Sequence, residues 1–419
     1  MMMRDRGTWV SRLAVAVAAA ALVVAAVTAL APAAAAAIAV SCPGGDLQHA
    51  IDTAPNGSTI TITGTCGGNF TVPGANPAGS GLSLTLYGGT LDGQSNGHVL
   101  TVDSGTLTVS KVTIQHGAAV NGGGGIRQSA GTLILNSSLV THNDGGPDAG
   151  GIWNVSGSAT LNASTVSANS SYYGAGMEIG GSVVLNSSTI TGNTAGYQGG
   201  GIWNAGSVAL NNSTVTQNGA PFGAGVWTGY FNSGVATLTS SRVSSNTATD
   251  MGGGIYAFNG TLNLNSSTVS GNTAPNDGGG IFSQNATVTM KTSNIGPGNS
   301  SYYGGGVINY LSSNMTLTNS KVSGNSAQQG GGIYTQAATL NLNSASVASN
   351  QAAQQGGGIY QYGGTTTLSG SKVRANAAGG GPGSGGGIFN NTAQGGTVAL
   401  INSSYVSGNT PDNCDGTAC

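Results

Sequence analysis

GGGIYAFNGTLNLNSSTVSGN, residues 252–272, decides the fold. Within it Ile255, Leu262, Leu264 and Val269 alternate with polar or small neighbours, the two-residue period of strands with one buried face. Asn259-Gly260, Asn265-Ser266 and Gly271-Asn272 separate the runs, and all are turn formers that tolerate a left-handed backbone. The stretch therefore predicts three short strands and three turns.

Outward from this stretch the pattern repeats. A Gly-rich signal ends in an aliphatic residue at Ile126, Ile152, Met177, Ile202, Val226, Ile255, Ile281, Val307, Ile333, Ile359 and Ile388, at spacings of 24 to 29 residues. A second aliphatic residue, three positions before an Asn, trails each: Val140 with Asn143, Val269 with Asn272, and so on to Val406 with Asn409. Only the coil with Ile295 and Asn299 carries an extra residue. No unit holds a helical pattern of about ten residues, Gly with β-branched residues is a poor helix mixture, and a propeller blade needs about 40 residues. The expected fold is all-β: a right-handed parallel β-helix of three-strand coils, each about 26 residues long, with a short N-terminal capping helix. Four aliphatic side chains per coil do not offset the ordering of its backbone, so each coil depends on pairing with those above and below. The recurrent Asn is expected to bond its own turn and its stacked neighbours.

The two ends read differently from the middle. Asp46 can cap a short helix with Leu47, Ala50 and Ile51 on one face; a strand over 59–63 follows, and 82–86 and 106–114 read as strands of less regular coils. Pro411 and the Cys414 to Cys419 loop end pairing at the other terminus. The four Cys form an even set confined to the ends, which predicts two local disulfides, Cys42–Cys66 and Cys414–Cys419. Ala39, Val40 and Ser41 match poorly the Leu-led box that precedes a lipidated Cys.

Residues 1–37 read as an export signal, because Arg4, Arg6 and Arg12 precede an apolar run from Leu13 to Leu30 and a small-residue tract from Ala33 to Ala37. The run is also long enough to serve as a retained anchor, and no second hydrophobic span follows. The expected organisation is a signal peptide over 1–37, a cap with irregular first coils over 38–121, eleven repeats over 122–409, and a disulfide cap over 410–419.

Charged residues are 5% of the chain, and 75 of its 419 residues are Gly, which departs from an ordinary globular domain. Ten basic residues less Arg4, Arg6 and Arg12 leave seven, and twelve acidic residues less Asp5 leave eleven. A near-neutral chain without clustered Lys and Arg cannot neutralise a run of phosphates, which argues against nucleic acid as a partner.

The paired signals, a Gly-Gly run to an aliphatic residue followed by a unit such as Val269-Ser270-Gly271-Asn272, resemble the repeats of polymorphic outer membrane proteins. In that family the second signal is Phe-x-x-Asn; here Val or Ile stands in place of Phe. The resemblance covers Gly122 to Asn409 and implies a β-helix displayed outside the cell for adhesion, carried on a C-terminal membrane barrel. Residues 410–419 do not read as barrel strands, so a free or loosely attached extracellular β-helix is expected.

The residue after each first-signal aliphatic is aromatic in eight coils: Trp153, Trp203, Trp227, Tyr256, Phe282, Tyr334, Tyr360 and Phe389. The remaining three are Arg127, Glu178 and Ile308. Because successive strand residues face opposite ways, this column belongs on the outer face. Trp203, Trp227, Tyr256 and Phe282, in four consecutive coils, are the expected contact surface for an extracellular polysaccharide or a host or cell-surface protein; otherwise they form a ladder that only covers the sheet.

Many parallel β-helix proteins are polysaccharide lyases or glycoside hydrolases, and those chemistries need converging acids with a base or metal. Asp250 and Asp277 lie about one coil apart, with Asp148 in the register of Asp277, but no Arg or Lys shares their turn. The Asp-Asp, Gly-His-Gly and Arg-x-Lys motifs by which galacturonan hydrolases resemble one another do not occur, and His98, His116 and His142 fall in different coils. Asp250 and Asp277, and likewise Asp412, Asn413 and Asp415, read as solvated turn residues rather than calcium ligands. The expectation is a non-catalytic protein with no cofactor and no metal.

Overall fold

Parallel pairing, residue for residue, runs from coil to coil through this computed structural model, which describes residues 37–75, 81–230, 234–417 and 419. All of the expected export signal except Ala37 lies outside the described residues. Among them, no helix is long and apolar enough to cross a membrane.

The type coil supplies Ile255–Phe258, Thr261–Asn265 and Thr268–Ser270, as its alternation demands. The first two strands of successive coils join one 27-stranded sheet, and the third strands form a 14-stranded sheet. Three less regular coils thus precede the eleven that carry the repeat. Ile255, Leu262, Leu264 and Val269 are all fully buried, and their counterparts continue one apolar core through the stack.

The Gly run is required by close approach. A Cβ on Gly254 would lie 2.5 Å from the Gly280 carbonyl oxygen, and Gly252, at φ +66°, would place one 2.9 Å from the Cβ of Tyr256. Gly is the residue that accepts both demands.

The second-signal Asn residues form an inner ladder. Asn272 donates from Nδ2 to Oδ1 of Asn299 at 3.0 Å and to the Val243 carbonyl at 3.1 Å. The same side-chain contact links Asn143 to Asn169 and recurs through to Asn376 and Asn409. Asn299 keeps its place in the ladder although its coil carries the extra residue.

The expected three-strand coil needs one correction. Between the Asn and the Gly run, where a turn was expected, a fourth strand forms in seven coils, including Ser170–Tyr173, Thr194–Gln198, Gly219–Phe222 and Thr247–Met251. Small inward residues of the segment itself allow it: its Ala195, Ala220 and Ala248 form a buried cluster of their own. An extended segment there stands beside the first sheet and gives it a wall.

At the N-terminus Asp46 caps helix Leu47–Thr53 through a hydrogen bond accepted from the His49 N–H, and Leu47, Ala50 and Ile51 join the core. Cys42 pairs with Cys66 and Cys414 with Cys419, at Cα separations of 5.0 and 6.0 Å.

Candidate functional site

Register places the aromatic column on the outer face as one continuous row: Trp203, Trp227, Tyr256, Phe282, Ile308, Tyr334, Tyr360 and Phe389 each pair with the next. Trp203 and Trp227 stack with centroids 5.2 Å apart and planes 2° from parallel, Tyr256 meets Phe282 edge-on at 4.6 Å, and Tyr334 stacks on Tyr360 at 4.9 Å.

The row is not the open stripe its sequence position suggests. Trp227, Tyr256 and Phe282 are only 2%, 8% and 3% exposed, so of the four rings expected to meet a ligand only Trp203 is partly open. The cause lies in two flanking columns. On one side the fourth-strand segments carry Tyr173, Gln198, Phe222, Met251, Asp277, Tyr303 and Gln329 in successive coils. On the other side Phe258, Gln284, Tyr310, Gln336 and Tyr362 stand two residues beyond the row on the same strand face. The row is therefore the floor of a groove whose walls carry most of the accessible chemistry.

Two cavities open along this groove. The larger, of about 520 Å³, is lined by Asp277, Phe282, Tyr303, Tyr310, Tyr334 and Tyr362, with Gln284, Gln329 and Gln336. Tyr256 donates its hydroxyl to Gln284 at 3.0 Å, so ring and amide are held together. Burial, and then the negative charge of Asp250, push Asp277 up to about 6. Asp250 itself sits one residue off this register, since Asp277 pairs with Met251, and it accepts a 2.7 Å hydrogen bond from Asn276.

The second cavity, of about 320 Å³, is lined by Asp148, Tyr173, Glu178, Tyr197, Gln198, Trp203 and Tyr230. Glu178 occupies the floor between Trp153 and Trp203. Burial and then the Asp148 carboxylate push Glu178 up to about 8, against hydrogen bonds from the Ala149 backbone and the Trp153 side chain. Burial also raises Asp148. One Glu178 oxygen, Oε2, is buried without a hydrogen-bond partner. Trp203 donates to Gln198 at 3.2 Å. Neither cavity lining includes a Lys, Arg or His.

Sequence reading missed the Asp148–Glu178 pair. Glu178 stood in the aromatic column and Asp148 in the turn column, and only the fourth-strand wall brings the two columns into one cavity. His116 and His142, from different coils, lie near each other with ring centroids 6.2 Å apart and planes tilted by 53°, and His116 Nδ1 lies 3.0 Å from Asp92. Asp412 is occupied with backbone, accepting hydrogen bonds from Gly383 and Gly386 at 2.7 and 3.0 Å. Among the described residues no group of three or more His, Cys, Asp or Glu is arranged to hold a metal ion. Compared with known proteins, the chain matches no family model, no curated protein and no solved structure.

Proposed function

We propose that the protein is exported and acts outside the cell as a non-catalytic β-helix, related in its repeats to the polymorphic outer membrane proteins, that holds a polysaccharide chain along its outer groove. The observation that carries this reading is the groove along the aromatic row from Trp203 to Phe389, whose accessible surface is its walls of Tyr rings and Gln amides. Seven steps of about 4.8 Å make it roughly 34 Å long, room for several sugar rings. Tyr rings and Gln amides on the walls suit a sugar, whose faces are apolar and whose edges are hydroxyls. Two disulfides fit an oxidising, extracellular setting.

The test is a screen of immobilised glycans, followed by Trp203→Ala and Tyr310→Ala. Both variants should weaken attachment while leaving the β-rich circular dichroism unchanged; unchanged attachment would sink the groove as the binding surface. A hydrolytic reading draws on one observation, two carboxylates of raised affinity for protons in one cavity. Reducing ends released from a bound polysaccharide, and lost in Glu178→Gln, would replace the non-catalytic reading with that one.

A further inference from the structure

The cavity at the Trp203 end of the groove has a chemistry of its own. Tyr173, Tyr197, Trp203 and Tyr230 face it together with two carboxylates, Asp148 and Glu178. The rings form a connected set, with Tyr173 and Tyr197 edge-on at 5.8 Å, Tyr173 and Trp203 at 6.2 Å, and Trp203 and Tyr230 at 5.5 Å. Among the described residues no cation lines the space to neutralise the two acids.

We propose that this cavity binds a protonated primary amine, and that on the groove reading the amine belongs to an amino sugar of the bound polysaccharide. Three independent features select that group. Aromatic faces attract a cation through their quadrupoles, and such cages are a recurrent way of holding ammonium ligands. The column already does this once within the chain, since the Arg127 guanidinium lies over Trp153 at 5.4 Å from the ring centroid. Asp148 supplies the opposite charge, and an ammonium beside Glu178 favours release of the proton that burial holds there, in a partly desolvated site where the attraction acts at greater strength than in water. The buried Oε2 of Glu178 lacks a donor, and a primary ammonium brings three N–H groups where a quaternary ammonium or an N-acetylated sugar brings no charged donor. At about 320 Å³ the cavity lies at the low end of small-molecule sites and takes one ring-sized group rather than a long chain.

The experiment is calorimetric titration of the whole protein with glucosamine and its oligomers, with their N-acetylated counterparts, and with tetramethylammonium. The free-amine sugars should bind at least about tenfold more tightly than the acetylated ones, a difference expected for a charge-assisted hydrogen bond. Glu178→Gln, which keeps the shape, and Tyr197→Ala, which opens the cage, should each weaken amine binding by a similar factor with unchanged circular dichroism. Equal binding of amine and acetylated sugars, or full retention in Glu178→Gln, would overturn the proposal. Tighter binding of tetramethylammonium would overturn it too, because that cation has no N–H for Glu178. Glycan binding without amine preference leaves the groove reading standing and this one refuted. Amine binding by the monomer without any polysaccharide binding does the reverse.

Discussion

Asn246 gives both its side-chain amide and its main-chain N–H to a single atom, Oδ1 of Asn272, each at 3.0 Å. Asn272 repeats the arrangement toward Asn299 in the next coil. One residue type thus closes a turn and fastens two coils, inside a core where these groups meet no water.

Asn272→Ala should therefore be far more damaging than a surface change. It removes the acceptor shared by the Asn246 main-chain N–H and side-chain amide, and the side-chain donor to the Asn299 Oδ1 and the Val243 carbonyl, at a cost of about 2–4 kcal/mol. Denaturant unfolding measures the loss. Hydrogen exchange should show it concentrated in the neighbouring coils, because stability in a stack is a nearest-neighbour property.

Trp203 and Trp227 stack on each other but serve different ends. Trp227 is 2% exposed, so Trp227→Ala should cost about 3–5 kcal/mol, as for other large buried rings. Trp203→Ala, at a partly open position, should cost distinctly less. Thermal unfolding of the two variants checks the order, and equal losses would contradict the covered-floor geometry.

Acid groups held in the groove make stability fall as pH rises. Glu178 titrates near 4.5 unfolded and about 8 folded, so between those values the folded chain holds a proton that the unfolded chain has released. Its contribution is thus most favourable below the unfolded value and declines up to about 8. Asp277 acts in the same direction from 3.8 to about 6. Glu178→Gln and Asp277→Asn should flatten the decline of melting temperature between about pH 4 and 8, as read by melts across that interval.

The cysteines lead to a mass and a stability measurement. Intact mass of the protein made in an oxidising compartment should show four hydrogens fewer than the reduced form, with no lipid added to Cys42. Breaking Cys42–Cys66, which spans 24 positions, should cost about 3 kcal/mol, and breaking Cys414–Cys419, which spans five, about 2 kcal/mol.

The fold was legible from residues 252–272 because a β-helix is a periodic object: alternation sets the inward face, turn formers set the corners, and repetition sets the pairing. Ile255, Leu264 and Val269 could be placed inside from their alternation, and Cys42 with Cys66 from their place at one end, whereas Asn272 read as a turn residue and only the fold shows it buried. What lies outside the coil was decided only by tertiary structure. Whether Tyr256 is open or covered depends on what stands on either side of it, and those neighbours, Phe222, Met251 and Phe258, come from other strand columns. The segment before the Gly run reads as a turn, and becomes a wall because Ala220 and Ala248 let it lie extended against the stack. Asp148 and Glu178 meet for the same reason: thirty positions apart in sequence, they share a cavity only once the wall rises beside the floor.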